Sequence, residues 1–351
     1  METATKNILV APLNWGLGHA TRCIPIIREL QKNGFTPILA SDGPALELLR
    51  KEFPHLQALA LPSYNIEYAK SADDFKWKLL KNSPKMIEAV LSEKKIVKKW
   101  IPEYNLQGII SDNRLGVYSK KIPSVFITHQ LNVLSGKTTW ISSKLHQYFI
   151  QKFTECWVPD IKEKPNLTGK LGHLKTTHLQ LKYIGPLSRL ERKELSIQYD
   201  LMVVLSGPEP QRTFLEEKLK AEIHSFAGKV VFVRGIIEAK QKKEVVENIT
   251  YYNFMTSAEL EKTFNESEIV LCRSGYTTVM DLAKLRKKAF FIPTPGQFEQ
   301  EYLAKKLKRD GFAPFAHQDD FKRENLLEVS MYNGLPQLKK ELDWKELFVL
   351  F

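Results

Sequence analysis

The sequence predicts a two-domain α/β protein with a parallel sheet in each half. Three observations predict it. Apolar, strand-like runs alternate with helical patterns from Asn7 to Ile184 and again from Leu201 onward; a charged stretch without pattern, 185–200, separates the two series; and 351 residues exceed one ordinary core and suit two domains of roughly 150 residues each. The expected division is 1–187, a linker over 188–200, and 201–351, with a last helix that can pack back on the first domain.

Asn7–Leu13 (NILVAPL) reads as the first strand. The turn Asn14-Trp15-Gly16-Leu17-Gly18-His19 feeds a helix over about 20–32, with Ile24, Ile27 and Leu30 on one face and Gly34 as its stop signal. A strand at 35–40, a helix at 44–51 and a strand at 57–61 follow. The alternation pauses over 64–102, which reads as helices with Phe75, Leu79, Leu80, Met86, Val90, Ile96, Val97 and Trp100 at apolar positions. It resumes with a strand at 108–111 and the polar turn Asp112-Asn113-Arg114. A strand at 124–128 ends in His129-Gln130, followed by a helix over 138–152 and short strands at 155–158 and 182–184.

In the second half LMVVLS at 201–206 leads into the loop 207–211, a helix over 212–226 and a strand at 229–234. A connection poor in apolar residues carries Lys240, Lys242 and Lys243; a strand at 250–253 and a helix at 257–264 come next. Glu268–Tyr302 is the densest stretch. A buried-type strand, 268–272, breaks at Arg273-Ser274-Gly275 where the helical pattern Thr278, Val279, Leu282, Ala283 begins. A second strand, 289–292, runs into Pro293-Thr294-Pro295-Gly296 and a polar cluster of Gln297, Glu299, Gln300 and Glu301. Beyond Gly311 one short strand and a helix pair containing Trp344 are expected.

In a parallel sheet these turns place helix N-termini, with their unpaired N–H groups, at the carboxyl edge of the strands, where anions bind. Two adjacent loops offering phosphate donors and hydroxyl-binding groups suit a nucleotide sugar. Ser206-Gly207 and Ser274-Gly275 are both strand-to-helix turns of small residues, so they support a diphosphate site jointly. Arg273 is either a further phosphate contact or a surface charge.

In the first half Gly16 and Gly18 let backbone approach a ligand, or serve only the turn's conformation. His19 is placed to take a proton from a substrate hydroxyl near neutral pH, or to cap its helix. Asp112 either orients His19, acts as a base itself, or makes an Asx turn. Asn113, His129 and Gln130 sit where strands meet loops and are read as acceptor contacts.

Hydrophobic content of 43% and charged content of 26% are those of a soluble globular protein. No run approaches a membrane span and no signal-peptide core is present, so the expected location is the cytoplasm. Cys23, Cys156 and Cys272 form no CxxC pair, which points to reduced, buried thiols rather than a zinc site or disulfides. A formal charge of +12 draws nucleic acid, anionic membranes or phosphorylated small molecules. Eight lysines between Lys76 and Lys99 oppose only Glu88 and Glu93. Interleaved with Trp77, Leu79, Leu80, Ile96, Val97 and Trp100, they make either a solvated helix face or, over 76–100, a basic amphipathic surface for anionic lipid. With no recognition helix or RNA-binding sheet motif, nucleic acid is not an expected partner.

Three segments, NWGLGHATRCIP, FITHQLN and CRSGYTTVMDLA with FIPTPGQFEQEY, resemble the corresponding loops of glycosyltransferases of the GT-B fold, family 28. That family's best-known member adds N-acetylglucosamine to the lipid intermediate of peptidoglycan synthesis. The resemblance implies two Rossmann-like domains with the active site in the cleft between them, the second binding a nucleotide sugar, UDP-linked, and the first an acceptor hydroxyl on a lipid-linked or small-molecule glycan. Ser274, Gly275 and Tyr276 would contact the donor diphosphate through backbone, Asp281 the ribose, Gln300 and Glu301 the sugar hydroxyls, and Arg189 the diphosphate. His19, with Asp112, would deprotonate the acceptor. The chain departs from the family in its less glycine-rich first loop, in SGPEPQ at 206–211, and in Asp281 where glutamate is usual. No DxD-like pair is placed for a divalent ion, so inverting transfer without metal or cofactor is expected, either free in the cytoplasm or peripherally at the inner face of the membrane. A nucleotide-sugar 2-epimerase and a non-catalytic nucleotide-sugar binder are the alternatives.

Overall fold

In a computed structural model the chain forms two compact units, one holding the residues up to 67 and from Lys76 to Leu187 together with the segment that ends at Phe351, the other built on Ser188 to Leu338. The structure describes residues 5–64, 72–207, 209–236, 238–338 and 342–351, the side chains of 72–84 aside.

The first unit is built on seven strands, β1 (Lys6–Pro12), β2 (Phe35–Ser41), β3 (Ala58–Ala60), β4 (Leu106–Asp112), β5 (Ser124–Ile127), β6 (Glu155–Val158) and β7 (Leu181–Tyr183), in the order β3-β2-β1-β4-β5-β6-β7. Every pairing is parallel. Ile8, Leu9, Val10 and Ala11 of β1 are all fully buried, because helices cover both faces of such a sheet and its strands need continuous rather than alternating apolar runs. Helix α1 (Gly18–Lys32) turns Ile24, Ile27 and Leu30 inward, as their spacing predicts; α2 (Gly43–Glu52) and α4 (Thr139–Ile150) also follow their sequence signals. The pause in the pattern is one helix, α3 (Ala72–Glu103), rather than several. Its inward positions include Ala89, Val97 and, unexpectedly, Glu93.

The second unit repeats the plan. Strands β8 (Tyr199–Val204), β9 (Val230–Val233), β10 (Lys243–Val246), β11 (Ile249–Tyr252), β12 (Ser267–Cys272) and β13 (Lys288–Phe291) lie in the order β10-β11-β9-β8-β12-β13. Helices α5 (Gln211–Ile223), α6 (Ser257–Asn265), α7 (Tyr276–Leu285) and α8 (Phe298–Arg309) complete it. Strand β10 was read as a connection. It is an antiparallel edge strand, solvent-exposed throughout, and such an edge tolerates the lysine and glutamate that hid it. The short strand expected past Gly311 is, among the described residues, a single bridge between Phe315 and Phe291, followed by a 3-10 turn at Arg323–Met331.

The segment at the end of the chain returns to the first unit. Helix α9 (Trp344–Phe348) packs Phe348 edge-on against Phe35, and Phe351 lies 6.2 Å from Trp157, ring to ring. A Cβ on Gly108 of β4 would come within 2.3 Å of the Phe351 ring, so only glycine admits that ring.

In both sheets strand order reverses beside the first strand, between β1 and β4 and between β8 and β12. These are the switch points where loops diverge and leave a crevice at the carboxyl ends of the strands. Gly16, Gly18, His19, Asp112 and Asn113 leave the first sheet there, and Ser206, Gly207, Arg273, Ser274 and Gly275 the second; His129 and Gln130 follow β5, and Gln300 and Glu301 follow β13. Cys23, Cys156 and Cys272 are buried free thiols. Among the described residues no helix is long and apolar enough to cross a membrane.

Candidate active site

The chain leaves β1 through a turn in which Gly16 takes φ +72 and faces open space. That left-handed conformation favours glycine. Gly18 opens α1, whose N-cap Leu17 offers no side-chain cap. His19 and Arg22 lie one turn apart on that helix and therefore share a face. Across the switch point β4 delivers Asp112, and the next strand exit delivers His129.

These four side chains form one cluster. Nδ1 of His19 lies 2.8 Å from Oδ1 of Asp112, and Arg22 donates to both oxygens of Asp112 through Nε and Nη2. Nη1 of Arg22 is 3.0 Å from Nδ1 of His129, and Nη2 is 2.9 Å from Nδ1 of His19. Burial alone would raise the Asp112 carboxyl, but the Arg22 charge, then His19, overcome it and hold the group at about 2. Asp112 is thus a fixed anion at neutral pH. Of its three sequence readings, the partner of His19 is the one the geometry supports. Burial, seconded by Arg22 and opposed by Asp112, lowers His19 below its ordinary value, so its imidazole is neutral at pH 7 and able to accept a proton.

The surrounding structure holds Asp112 in place. Asn113 takes a left-handed turn with φ +60, and Arg114 behind it is fully buried, its Nε 2.6 Å from Glu93 of α3 and its Nη1 2.7 Å from Asp42. Glu93 also accepts from Tyr64 at 2.7 Å and from the Gly116 amide at 3.0 Å. Sequence reading counted Glu93 only as a charge opposing lysines; the partner that makes it structural is distant in the chain. Gln130 places its amide nitrogen 3.5 Å from Nε2 of His129. His146 of α4 was not singled out. Burial, then His129, push it to about 4, and its Nε2 is buried without a hydrogen bond.

In the second unit the turn after β12 presents α7, whose N-cap Gly275 supplies no side-chain cap and would meet nothing within 4 Å if given a Cβ. Neighbouring α6, by contrast, closes its own N-terminus with a Thr256 and Glu259 capping box. The start of α7 thus carries no side chain at its N-cap, and its helix dipole points its positive end toward the carboxyl edge of the strands. Ser274 is buried and donates to the Gln300 carbonyl at 2.8 Å, tying the β12 turn to α8. Ser206 and Gly207, exposed, leave β8 on the other side of the switch point, with Gly207 at φ +108.

Arg273 does not face outward. Its guanidinium is 1% exposed and donates to the carbonyls of Ile292, Pro293 and Gln211 and to Gln318 Oε1. Burial lowers it to about 9. It clamps three loops of the carboxyl edge rather than holding a diphosphate. Gln300 and Glu301 also brace a loop: Gln300 accepts from the Thr294 amide at 2.9 Å and donates to Gln297 at 2.6 Å, and Glu301 accepts from the Gly296 amide at 3.2 Å. Asp281, on α7, accepts from Ser188 at 2.6 Å, and Arg189 donates to Ser257 at 2.9 Å. Burial raises the Asp281 carboxyl to about 6 against the opposing pull of Ser188 and Arg189.

Residues 210–338 match the glycosyltransferase family 28 C-terminal domain. A UDP-N-acetylglucosamine--N-acetylmuramyl-(pentapeptide) pyrophosphoryl-undecaprenol N-acetylglucosamine transferase of Haemophilus ducreyi is 24% identical over 93% of this chain and 89% of its own length. The enzyme of that name from Glaesserella parasuis is 25% identical over 93% and 89%. Among solved structures, Acinetobacter baumannii MurG superposes with a TM-score of 0.55 at 14% identity, covering 93% of this chain and 91% of that one. The calicheamicin glycosyltransferase superposes at 0.63 and 12%, covering 93% and 89%.

Proposed function

We propose that this chain, a glycosyltransferase of the GT-B fold whose residues 210–338 match the family 28 C-terminal domain, moves a sugar with inversion from a UDP-linked donor to a hydroxyl of a lipid-linked cell-wall precursor. The relatives named for N-acetylglucosamine transfer to an undecaprenol-linked acceptor support that substrate pair. The single observation that carries the chemistry is His19, neutral and held by Nδ1 against an ionised Asp112. Nε2 of His19 takes the acceptor proton as the hydroxyl oxygen bonds to the anomeric carbon. The bond from that carbon to the diphosphate breaks, and UDP leaves with the electron pair. The positive end of the α7 dipole and the turn at Ser206 and Gly207 suit the charge developing on the diphosphate. Asp281 is suited to the ribose hydroxyls.

The acceptor implies work at a membrane surface. Of the lysine segment, the side chains of 76–84 lie outside the described residues; Lys85, Lys94, Lys95, Lys98 and Lys99 are exposed, beside Ile87 and Leu91 at 60% and 54% exposure. Helix α4 adds Trp140, Ile141, Leu145 and Tyr148, each more than half exposed. Lys137, Lys144 and Lys152 accompany them, with no acidic residue between 131 and 154. Apolar side chains flanked by cations suit an anionic lipid surface.

The test is turnover of UDP-N-acetylglucosamine with an undecaprenyl-pyrophosphoryl acceptor in excess EDTA, for the wild type and His19→Ala. Turnover should persist without divalent ion and fall about 10²–10⁴-fold in the variant, while the thermal shift given by UDP stays unchanged. Equal turnover by the variant, or no stabilisation of the wild type by UDP, would overturn the proposal.

A further inference from the structure

A guanidinium only donates hydrogen bonds, and Nη1 of Arg22 lies 3.0 Å from Nδ1 of His129. Nδ1 of His129 therefore bears its lone pair, and the ring proton sits on Nε2. At His19 the same atom has two claimants, Asp112 Oδ1 at 2.8 Å and Arg22 Nη2 at 2.9 Å. A lone pair there would face a carboxylate oxygen at contact distance with no proton between them. Nη2 of Arg22, for its part, already has that carboxylate as its acceptor. The attraction of Asp112 for a proton on this ring also outweighs the repulsion from Arg22. The proton of His19 belongs on Nδ1, and the lone pair on Nε2.

We propose that Arg22, with Asp112, fixes His19 and His129 in opposite tautomers, so that only His19 can act as a base through Nε2 while His129 presents Nε2 as a hydrogen-bond donor. Arg22 is then a positioning residue: it never meets the reacting atoms, yet it assigns the two rings their roles. The inference rests on His19 being the base. Two consequences follow from the geometry. Whatever meets Nε2 of His129 offers an oxygen lone pair, as a hydroxyl or phosphoryl group of an acceptor does. The Gln130 amide, whose nitrogen is placed 3.5 Å from that Nε2, then turns its oxygen there instead, since its two ends are nearly alike in shape and the hydrogen bond decides between them.

Long-range proton–nitrogen correlation spectra of the full chain, ligand-free, labelled with 15N-histidine and held at mildly alkaline pH, report each tautomer directly. The eight histidines are sorted by the signals lost in His19→Gln and His129→Gln. The expected wild-type result is His19 protonated on Nδ1 and His129 on Nε2. In Arg22→Gln the His129 signals should move to a mixture of both forms. Like tautomers on both rings, a reversed assignment, or an Arg22→Gln spectrum with unchanged His129 signals would overturn the inference; should that variant not fold, the wild-type spectrum decides alone. No substrate is needed. Expected tautomers without any glycosyl transfer would sink the function and leave this inference standing, and reversed tautomers with full turnover would do the opposite.

Discussion

Asp281 illustrates what the site demands of single residues. Its carboxyl is raised to about 6 from an ordinary 3.8, first by burial, with Ser188 and Arg189 pulling the other way. Between those values the folded protein holds a proton that the unfolded chain has released, so the stability contributed by this group falls as pH rises through the window. Asp281→Asn should therefore melt at a higher temperature than the wild type at about pH 7.5, with the gap closing toward about pH 4, while the thermal shift given by UDP is lost. A variant no more stable than the wild type at the higher pH would mean that Ser188 and Arg189 fully compensate the buried anion. At this scale the sequence was partly legible. His19 and Asp112 stand at strand exits, where position alone argues for exposure to a crevice. Arg22 looks like one more charge on an amphipathic helix until the fold sets Asp112 beside it. Arg273 was misread because an arginine in a turn looks the same whether it faces a phosphate or the carbonyls of loops that come from elsewhere in the chain.

At the scale of elements, helix α4 shows what periodicity leaves open. A helix over 138–152 is readable from the sequence, and Trp140, Leu145 and Tyr148 make a stripe on it. Spacing defines the stripe without saying which side of the helix meets the sheet. Here Ile150 and Ser143 turn inward and the aromatic stripe turns out, with Trp140 69% exposed and Lys152 set 4.0 Å from the Tyr148 ring. Trp140→Lys combined with Leu145→Lys should reduce cosedimentation with anionic vesicles about tenfold, since each inserted apolar side chain contributes on the order of 1–2 kcal/mol and each added lysine returns only about 1 kcal/mol. The added lysines make this a strict test: if charge alone held the protein to lipid, binding would rise. The UDP response should not change. Strand β10 was lost for a related reason, because an exposed edge strand needs no apolar face and so leaves no pattern.

For the whole molecule the alternation of strands and helices was enough to draw both sheets, since parallel strands are buried on both faces and announce themselves as apolar runs. The return of the chain to its first unit is the part that local pattern conveys least. Phe348 and Phe351 are 3% and 8% exposed, packed on Phe35 and Trp157. Phe348→Ala should cost about 3 kcal/mol, seen as a lower transition for the first unit in calorimetry, with the UDP-dependent shift of the second unit kept. A single unshifted transition would show that this aromatic contact contributes little.

Because Gly108 leaves room on β4 for the Phe351 ring, the first unit is begun early in synthesis and finished late. Everything from Ser188 to Leu338 must leave the ribosome before that gap is filled; at common elongation rates this takes roughly 8 to 30 seconds. Throughout that interval Trp157, Phe35 and Ile8 border an apolar socket that a chaperone can hold. The newborn protein completes its second unit before its first is sealed.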